Sequence, residues 1–277
     1  MIGGTGLVGG YIVEHLVRRR QRPFVLSRSA QTQRKAGVDW LRGDLQKPDT
    51  LSCPAIETIY CTANAVLLPD ALPQFFSPSL RRIVAFSSTS VMTKQDSEVV
   101  AEREMIKRLA EAEQKIAAQC EQHNVRWTIL RPTLIYAEGR DTNITPLSRV
   151  IRRFRFMPLV GGGSGLRQPV HAEDLALGAI AAASGPAAEN KIYCLPGPET
   201  LTYREMIGRI FDGLRIPRRF VPLPTALWRA SFELAKPLFP EANVAMGIRM
   251  RKDMVFDSSA AIRDFGWKPR NFHPLFD

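Results

Sequence analysis

Met1-Ile2-Gly3-Gly4-Thr5-Gly6-Leu7-Val8-Gly9-Gly10, running on into Tyr11-Ile12-Val13-Glu14-His15-Leu16-Val17, is the stretch whose reading decides the fold. It reads as the end of a strand, a glycine-rich turn and the first turns of an apolar helix. Gly3, Gly6 and Gly9 stand in G-x-x-G-x-x-G spacing. Such a turn needs free φ, and a backbone that a phosphate can approach without meeting a Cβ. The amides of Thr5, Gly6, Leu7 and Val8, at the positive end of the helix dipole, are the expected pyrophosphate cradle. Glycines at this spacing do not alone specify a dinucleotide site. The order does: strand, turn, apolar helix, basic turn and next strand make a βαβ unit. Only Met1 and Ile2 precede Gly3, whereas a buried parallel strand runs about five or six residues. The expectation is either further chain upstream or a stunted central strand, with lower stability and weaker cofactor binding.

At 277 residues the chain suits one large α/β unit or two intimately linked domains. No apolar run approaches the ~20 residues that span a bilayer. No signal peptide precedes the glycine turn, so the expected location is the cytoplasm. Cys53, Cys61, Cys120 and Cys194 are scattered without C-x-x-C spacing, which predicts free buried thiols and no metal site. The net charge is +11, with arginines grouped at Arg18-Arg19-Arg20, Arg152-Arg153 with Arg155, and Arg215 with Arg218-Arg219. An anionic small ligand, nucleic acid or acidic lipid, and a solvated face all compete as explanations. The clusters are dispersed and lack the aromatic stacking pattern of an RNA-binding sheet. The reading favours a solvated face plus an anionic small-molecule substrate. Peripheral membrane contact stays open, and no nucleic acid is expected.

Along the chain, Pro23-Phe24-Val25-Leu26 is a short apolar strand followed by Ser27-Arg28-Ser29. About twenty residues past the glycines, an acid would hold the adenosine ribose 2′-hydroxyl. Arg28 stands there instead and offers a guanidinium to a 2′-phosphate, which puts NADP ahead of NAD as cofactor. Val38–Leu45 is the next strand and turn, with Asp44-Leu45 placed to meet the adenine edge. Thr58–Ala63 is a strand ending in small residues, Cys61 and Thr62 among them, where the sheet passes close to the ligand. Arg82–Ser90 is a strand ending in the hydroxyl-rich run Ser87-Ser88-Thr89-Ser90, and a helix is expected from about Val99 to His123. Val125–Thr133 makes a further strand. This alternation predicts a mostly parallel sheet, helices on both faces and ligands at the strands' carboxyl ends.

Beyond Thr133, Gly161-Gly162-Gly163-Ser164-Gly165 reads as a flexible loop, Arg167–His171 leads into a helix from about Glu173, and Lys191–Leu195 is a last strand. Thr202 and Glu205 form a capping box for a helix over Tyr203–Leu214. A proline-rich piece from Pro217 to Pro240 carries an apolar helix around Leu227, Trp228, Phe232 and Leu234. A substrate lid, a membrane-surface helix and simple packing are its readings, and packing is the commonest fate of such residues.

Together these marks resemble the extended short-chain dehydrogenase/reductase superfamily, in its NAD(P)-dependent epimerase/dehydratase branch. The resemblance covers essentially the whole chain. It rests on Gly3–Gly9, Asp44-Leu45, Ser87-Ser88-Thr89, Leu130-Arg131-Pro132, Arg167–Leu175, Asp257–Ala261 and Phe265-Gly266-Trp267-Lys268-Pro269. It implies a Rossmann-type doubly wound sheet over 1–133 and 166–197, with a smaller substrate lobe over 134–165 and 198–277. It also implies cofactor contacts from Ser87 and Pro132 besides those above. Substrate contacts would come from Thr89, Ser90, Asn143 and Arg167, the last as a bidentate diphosphate ligand. His171 and Asp174 read as structural.

The family's chemistry usually rests on Tyr-x-x-x-Lys in the long helix, the lysine helping the tyrosine exchange a proton with substrate. Counted back from Arg131, those places fall on Met105 and Leu109, and no Tyr-x-x-x-Lys occurs in this helix. The family's Ser/Thr is retained as Thr89. Arg131-Pro132-Thr133-Leu134 stands where nucleotide-sugar enzymes carry Arg-x-x-Asn; Tyr136 or Asn143 would have to compensate. One expectation is an NADP-dependent oxidoreductase or epimerase for a carbonyl or nucleotide-sugar-like substrate, with Thr89 on the substrate oxygen and Lys94 or Tyr136 as substitute base. The alternative is a non-catalytic NADP-binding sensor or assembly subunit. Arg131-Pro132-Thr133 and Gln168-Pro169-Val170-His171 resemble segments of ancillary subunits of respiratory complex I, which belong to the same superfamily.

Overall fold

A computed structural model describes residues 1–29, 36–224 and 250–276. The apolar helix expected around Leu227, Trp228, Phe232 and Leu234 lies outside the described residues. The chain divides into two compact units. Met1–Pro132, Ala172–Leu195 and Asp257–Pro269 form the first; Thr133–His171, Pro196–Phe256 and Arg270–Asp277 form the second.

In the first unit, α1 (Leu7–Arg18) follows the glycine turn, and β1 (Phe24–Ser27) and β2 (Asp39–Arg42) pair in parallel. β3 (Thr58–Cys61), the short α2 (Leu68–Ala71), β4 (Arg82–Phe86), α3 (Ser90–Thr93), α4 (Val100–Gln122) and β5 (Arg126–Pro132) come next. α6 (Ala172–Ser184), β10 (Lys191–Leu195) and α8 (Ser259–Phe265) complete it. The strands β3, β4, β5 and β10 lie side by side, all parallel. Ile2 joins the two groups, bridging in parallel to Leu26 on β1 and to Cys61 on β3. Its amide donates to the Tyr60 carbonyl at 2.8 Å, and its carbonyl accepts from Thr62 N at 3.0 Å. The order is therefore β2-β1-Ile2-β3-β4-β5-β10, and the chain turns from one side of the sheet to the other at Ile2. This is the α/β parallel fold expected from the alternation of strands and helices.

Burial follows the pattern. All five residues of β4 are buried, as a strand covered on both faces must be. α4 buries Ile106, Ala112, Glu113, Ile116 and Cys120 at helical spacing, while Met105 and Val99, the residue before its first turn, are exposed. α1 buries Val8, Ile12, Val13 and Leu16, and its His15 Nε2 lies 3.1 Å from Glu173 Oε1 on α6.

Asp257–Pro269 lies with the sheet unit, whereas the sequence reading gave this stretch to the smaller lobe. Its contacts explain why. Asp264 accepts from Tyr193 Oη at 2.6 Å and from Lys191 Nζ at 3.0 Å, both on β10. Trp267 packs so tightly on α6 that a Cβ at Gly178 would sit 2.5 Å from its ring. The Tyr193 hydroxyl foremost, then Lys191, holds the Asp264 carboxyl down to about 2.

In the second unit, β6 (Ile135–Tyr136) pairs in parallel with β9 (Val170–His171), and β7 (Met157–Val160) with β12 (Phe220–Leu223). β8 (Leu166–Arg167) pairs antiparallel with β11 (Leu201–Thr202). These pairings draw 166–171 into this unit, where the sequence reading had given those residues to the Rossmann domain. Helices α5 (Ile144–Phe154) and α7 (Tyr203–Gly213) close a core of Tyr136, Ile144, Ile151, Leu159, Phe211 and Phe272. α7 carries the expected capping box between Thr202 and Glu205. The sequence reading had no helix over α5. The Asp141 carboxylate caps it, accepting from Asn143 N at 2.7 Å and Thr145 Oγ1 at 2.7 Å. The glycine run expected as a flexible loop is a tight turn: Gly161, Gly162 and Gly163 have φ of 59, 72 and 69°. Positive φ, rather than looseness, is what glycine supplies there.

Candidate functional site

The site builds from the topological switch at Ile2 in the first unit, where ligands of open parallel sheets bind. Gly3 turns the chain with φ +80°, and a Cβ there would lie 2.7 Å from Ala63 N and from Thr62 Oγ1. At Gly9 a Cβ would fall 2.1 Å from the Gly3 carbonyl oxygen, so turn and helix are packed backbone on backbone. Thr62 fastens the turn from the end of β3, its hydroxyl donating to the Gly3 carbonyl at 3.0 Å. Two of the three spaced glycines are thus demanded by the protein's own packing. Gly6, exposed like Thr5, caps α1 with no side-chain hydrogen bond and no acid in the first turn. The amides of Thr5, Gly6, Leu7 and Val8 stand at a helix start suited to an anion.

Beside this turn lies a cavity of about 520 Å³, lined by Gly3, Thr5, Ser27, Arg28, Ser29, Asp44, Leu45, Gln46, Ala63 and Asn64. Asp44 is pinned by the turn it starts, its Oδ1 accepting from Gln46 N at 3.0 Å, and Leu45 is buried. A neighbouring hollow of about 350 Å³ is bounded by Arg28, Arg42, Gly43, Asp44, Lys47 and Thr50. The structure thus gathers Gly3, Thr5, Arg28, Asp44 and Leu45 around one space. Asn64 joins them in that cavity, and Arg42 and Lys47 border the neighbouring hollow; none of the three was a site residue in the sequence reading. Two further cations within a few residues of the Asp44 turn were the signal that could have found them. Cys61 is fully buried and burial pushes its thiol up to about 12, so it contributes backbone and bulk.

At the ends of β4 and β5, the Ser87 amide donates to the Leu130 carbonyl at 2.8 Å, and the Ser87 Oγ is buried with no partner among the described residues. Thr89 is buried; its Oγ1 donates to the Pro132 carbonyl at 3.0 Å and its amide to the same oxygen at 3.2 Å. Ser88 Oγ accepts from the Ser90 amide at 3.1 Å. Lys94 Nζ lies 3.1 Å from Glu102 Oε1, so its charge is spent on a carboxylate that Ser97 also binds. Met105 is exposed and Leu109 half-buried on α4, and neither can carry a proton. One turn past Leu109 on α4, the buried Glu113 carboxylate accepts from Arg131 Nε at 2.9 Å.

The remaining predicted residues belong to the second unit. Tyr136 is 1 % exposed, its ring edge-on to His171 and to Phe272. Asn143 Nδ2 donates to the Ile135 carbonyl at 2.8 Å. Arg167 is buried, its Nη1 donating to the Leu166 and Lys252 carbonyls at 2.7 Å each, and its guanidinium lies 5.6 Å over the Tyr203 ring. Among the described residues no group of three or more His, Cys, Asp or Glu side chains is placed to hold a metal ion. None of the described helices is long and apolar enough to cross a membrane.

Residues 80–195, from β4 through β10, match the model of the NAD dependent epimerase/dehydratase family. The matched stretch spans less than half of the chain. Among the relatives of this chain is subunit 9 of the NADH dehydrogenase 1 alpha subcomplex from Arabidopsis thaliana mitochondria. It is 36% identical over 105 residues, covering 37% of this chain and about a quarter (26%) of that protein. An NAD(P)H azoreductase of Xenophilus azovorans is 26% identical, over 80% of this chain and 76% of that one. A dTDP-glucose 4,6-dehydratase of Streptomyces venezuelae, solved with NAD bound, superposes with a TM-score of 0.70 over 98% of this chain and 91% of that one. Its sequence identity is 18%, a likeness of fold.

Proposed function

We propose that this chain is a member of the NAD dependent epimerase/dehydratase family, an NADP-dependent oxidoreductase or epimerase acting on a carbonyl or nucleotide-sugar-like substrate. One observation carries the cofactor choice: Arg28, Arg42 and Lys47 border one hollow, with Asp44 as the single carboxylate among the described residues that line it. A 2′-phosphate adds about two negative charges to the adenosine end, and three cations favour it where an acid would repel it. The glycine turn fits a diphosphate, since its outer residues Thr5 and Gly6 are exposed and free of competing acid.

When bound, a nicotinamide supplies hydride exchange; the chain's own residues must bind, orient and move a proton. Thr89 is the proposed contact to the substrate oxygen. Its hydroxyl proton rests on the Pro132 carbonyl, so it accepts from a substrate hydroxyl more readily than it donates. Lys94 is the proposed proton carrier, and its pair with Glu102 must open for it to act. Tyr136, closed in by two aromatic rings, is the weaker choice. Asn143 and Arg167 are engaged with backbone carbonyls and would have to exchange those partners to meet a substrate.

Calorimetry with NADPH and NADH tests the reading. NADPH is expected to bind at least about tenfold tighter, a difference of about 1.4 kcal/mol. Arg28→Ala and Arg42→Ala should each weaken NADPH about tenfold and leave NADH nearly unchanged. Equal affinities for the two coenzymes refute the NADP assignment. A second reading, a non-catalytic NADP-binding sensor or assembly subunit, is favoured by Met105 and Leu109 standing in the tyrosine and lysine places. It predicts tight NADPH binding with no oxidation across a panel of carbonyl and nucleotide-sugar compounds. The enzyme reading predicts turnover that Thr89→Val abolishes.

A further inference from the structure

Arg149, Arg152, Arg153 and Arg155 crowd the end of α5 and its cap, and no aspartate or glutamate occurs between Asp141 and Glu173. α5 buries Ile144, Thr145, Ser148 and Ile151, while all four arginines are exposed. Arg149 stands three and four places before Arg152 and Arg153, the spacings at which like charges on a helix repel. Cations in a last turn offset the helix dipole, which accounts for Arg152 and Arg153 but not for Arg149. Arg155 holds the C-cap at φ 63°, a left-handed place where glycine sits without strain.

The chain then enters β7, whose pairing with β12 shows what faces outward. Met157 and Phe220 are register partners turned to the core, Met157 buried and the Phe220 ring edge-on to Phe211. Met157 N donates to the Arg219 carbonyl at 2.9 Å, which sets Arg219 beside Phe156. Side chains alternate along a strand, so Phe156, Arg219 and Val221 point away from that core. All three are exposed, Phe156 by 39% and Val221 by 45%. Phe154 is 36% exposed, and its ring centroid lies 6.3 Å from that of Phe156. The two rings join the arginine-rich helix end to the outer face of the strand pair.

We propose that this face of the second unit docks on an anionic phospholipid bilayer. The arginines meet lipid phosphates, and Phe154, Phe156 and Val221 enter the boundary between headgroups and acyl chains. Charge complementarity selects the partner, because an anionic sheet relieves the repulsion that the clustered arginines carry. The apolar side chains favour lipid over a nucleic-acid strand. Bases stack on rings set along a groove; here two rings are tilted by 59° and the third apolar side chain is aliphatic. The coenzyme assignment concerns the first unit and plays no part in this reading.

Flotation of the whole chain with phosphatidylglycerol or phosphatidylcholine vesicles is the test. Binding is expected to the first lipid only, and to vanish toward ~1 M salt, where the screening length is about 3 Å. Arg149→Gln with Arg153→Gln should weaken it about tenfold or more. Arg19→Gln with Arg20→Gln removes the same charge from the first unit and should weaken it by no more than about twofold. Phe154→Ser with Phe156→Ser should also cost about tenfold or more at low salt. Thermal melts check that each variant is folded; should the serine pair melt early, Phe156→Ser alone is read for the same loss. The proposal is overturned if the two arginine pairs weaken binding alike, or if the serine variant binds as the parent does. It is equally overturned if single-stranded DNA binds more tightly than the phosphatidylglycerol surface.

Discussion

Gly9 and Gly6 occupy equivalent places in the spacing motif but different surroundings. A Cβ at Gly9 would sit 2.1 Å from the Gly3 carbonyl oxygen, whereas at Gly6 the nearest atom is 3.2 Å away. Gly9→Ala is expected to cost about 1–3 kcal/mol through forced backbone shifts, and Gly6→Ala distinctly less; equilibrium urea unfolding of the two variants gives the comparison. A second residue-scale prediction concerns Glu113, 3% exposed at its side chain and bound by Arg131. Glu113→Ala leaves the guanidinium without its carboxylate, and about 3–5 kcal/mol should be lost. Replacing both partners by apolar residues, Glu113→Leu with Arg131→Met, should recover most of it. A double variant as unstable as the single one would show that the ion pair is not the cause.

At the scale of elements, the capping box that starts α7 can be tested by itself. Thr202→Ala removes a hydroxyl that accepts from Glu205 N at 3.1 Å and should cost about 1 kcal/mol, read as a lower denaturant midpoint at unchanged slope. The strands and long helices were legible because burial repeats at their own periods. α5 was not: Ile144, Thr145, Ser148 and Ile151 are its buried residues, half of them polar, and its cap Asp141 lies outside the helix.

For the whole molecule, a ligand that binds only the folded chain raises apparent stability by mass action. NADPH at a hundred times its dissociation constant should add about 2.7 kcal/mol. At equal concentration NADH should add less, if the cations at Arg28, Arg42 and Lys47 select the 2′-phosphate. Thermal denaturation with each coenzyme measures the difference. By itself the sequence determined the order of the sheet strands with the helices α1, α4, α6 and α7, the glycine turn, a cation in place of an acid at Arg28, and the lack of Tyr-x-x-x-Lys. Each is a local pattern, written in neighbouring residues. Only the tertiary structure decided that Ile2 serves as the sheet's central rung, that Asp257–Pro269 returns to the sheet unit, and that Thr89 gives its proton to Pro132. It likewise placed Arg167 on backbone carbonyls and brought Arg42 and Lys47 beside Arg28. These are choices of partner across tens of residues, and a hydrogen-bonding side chain carries no record in its own sequence of which distant group folding will set before it.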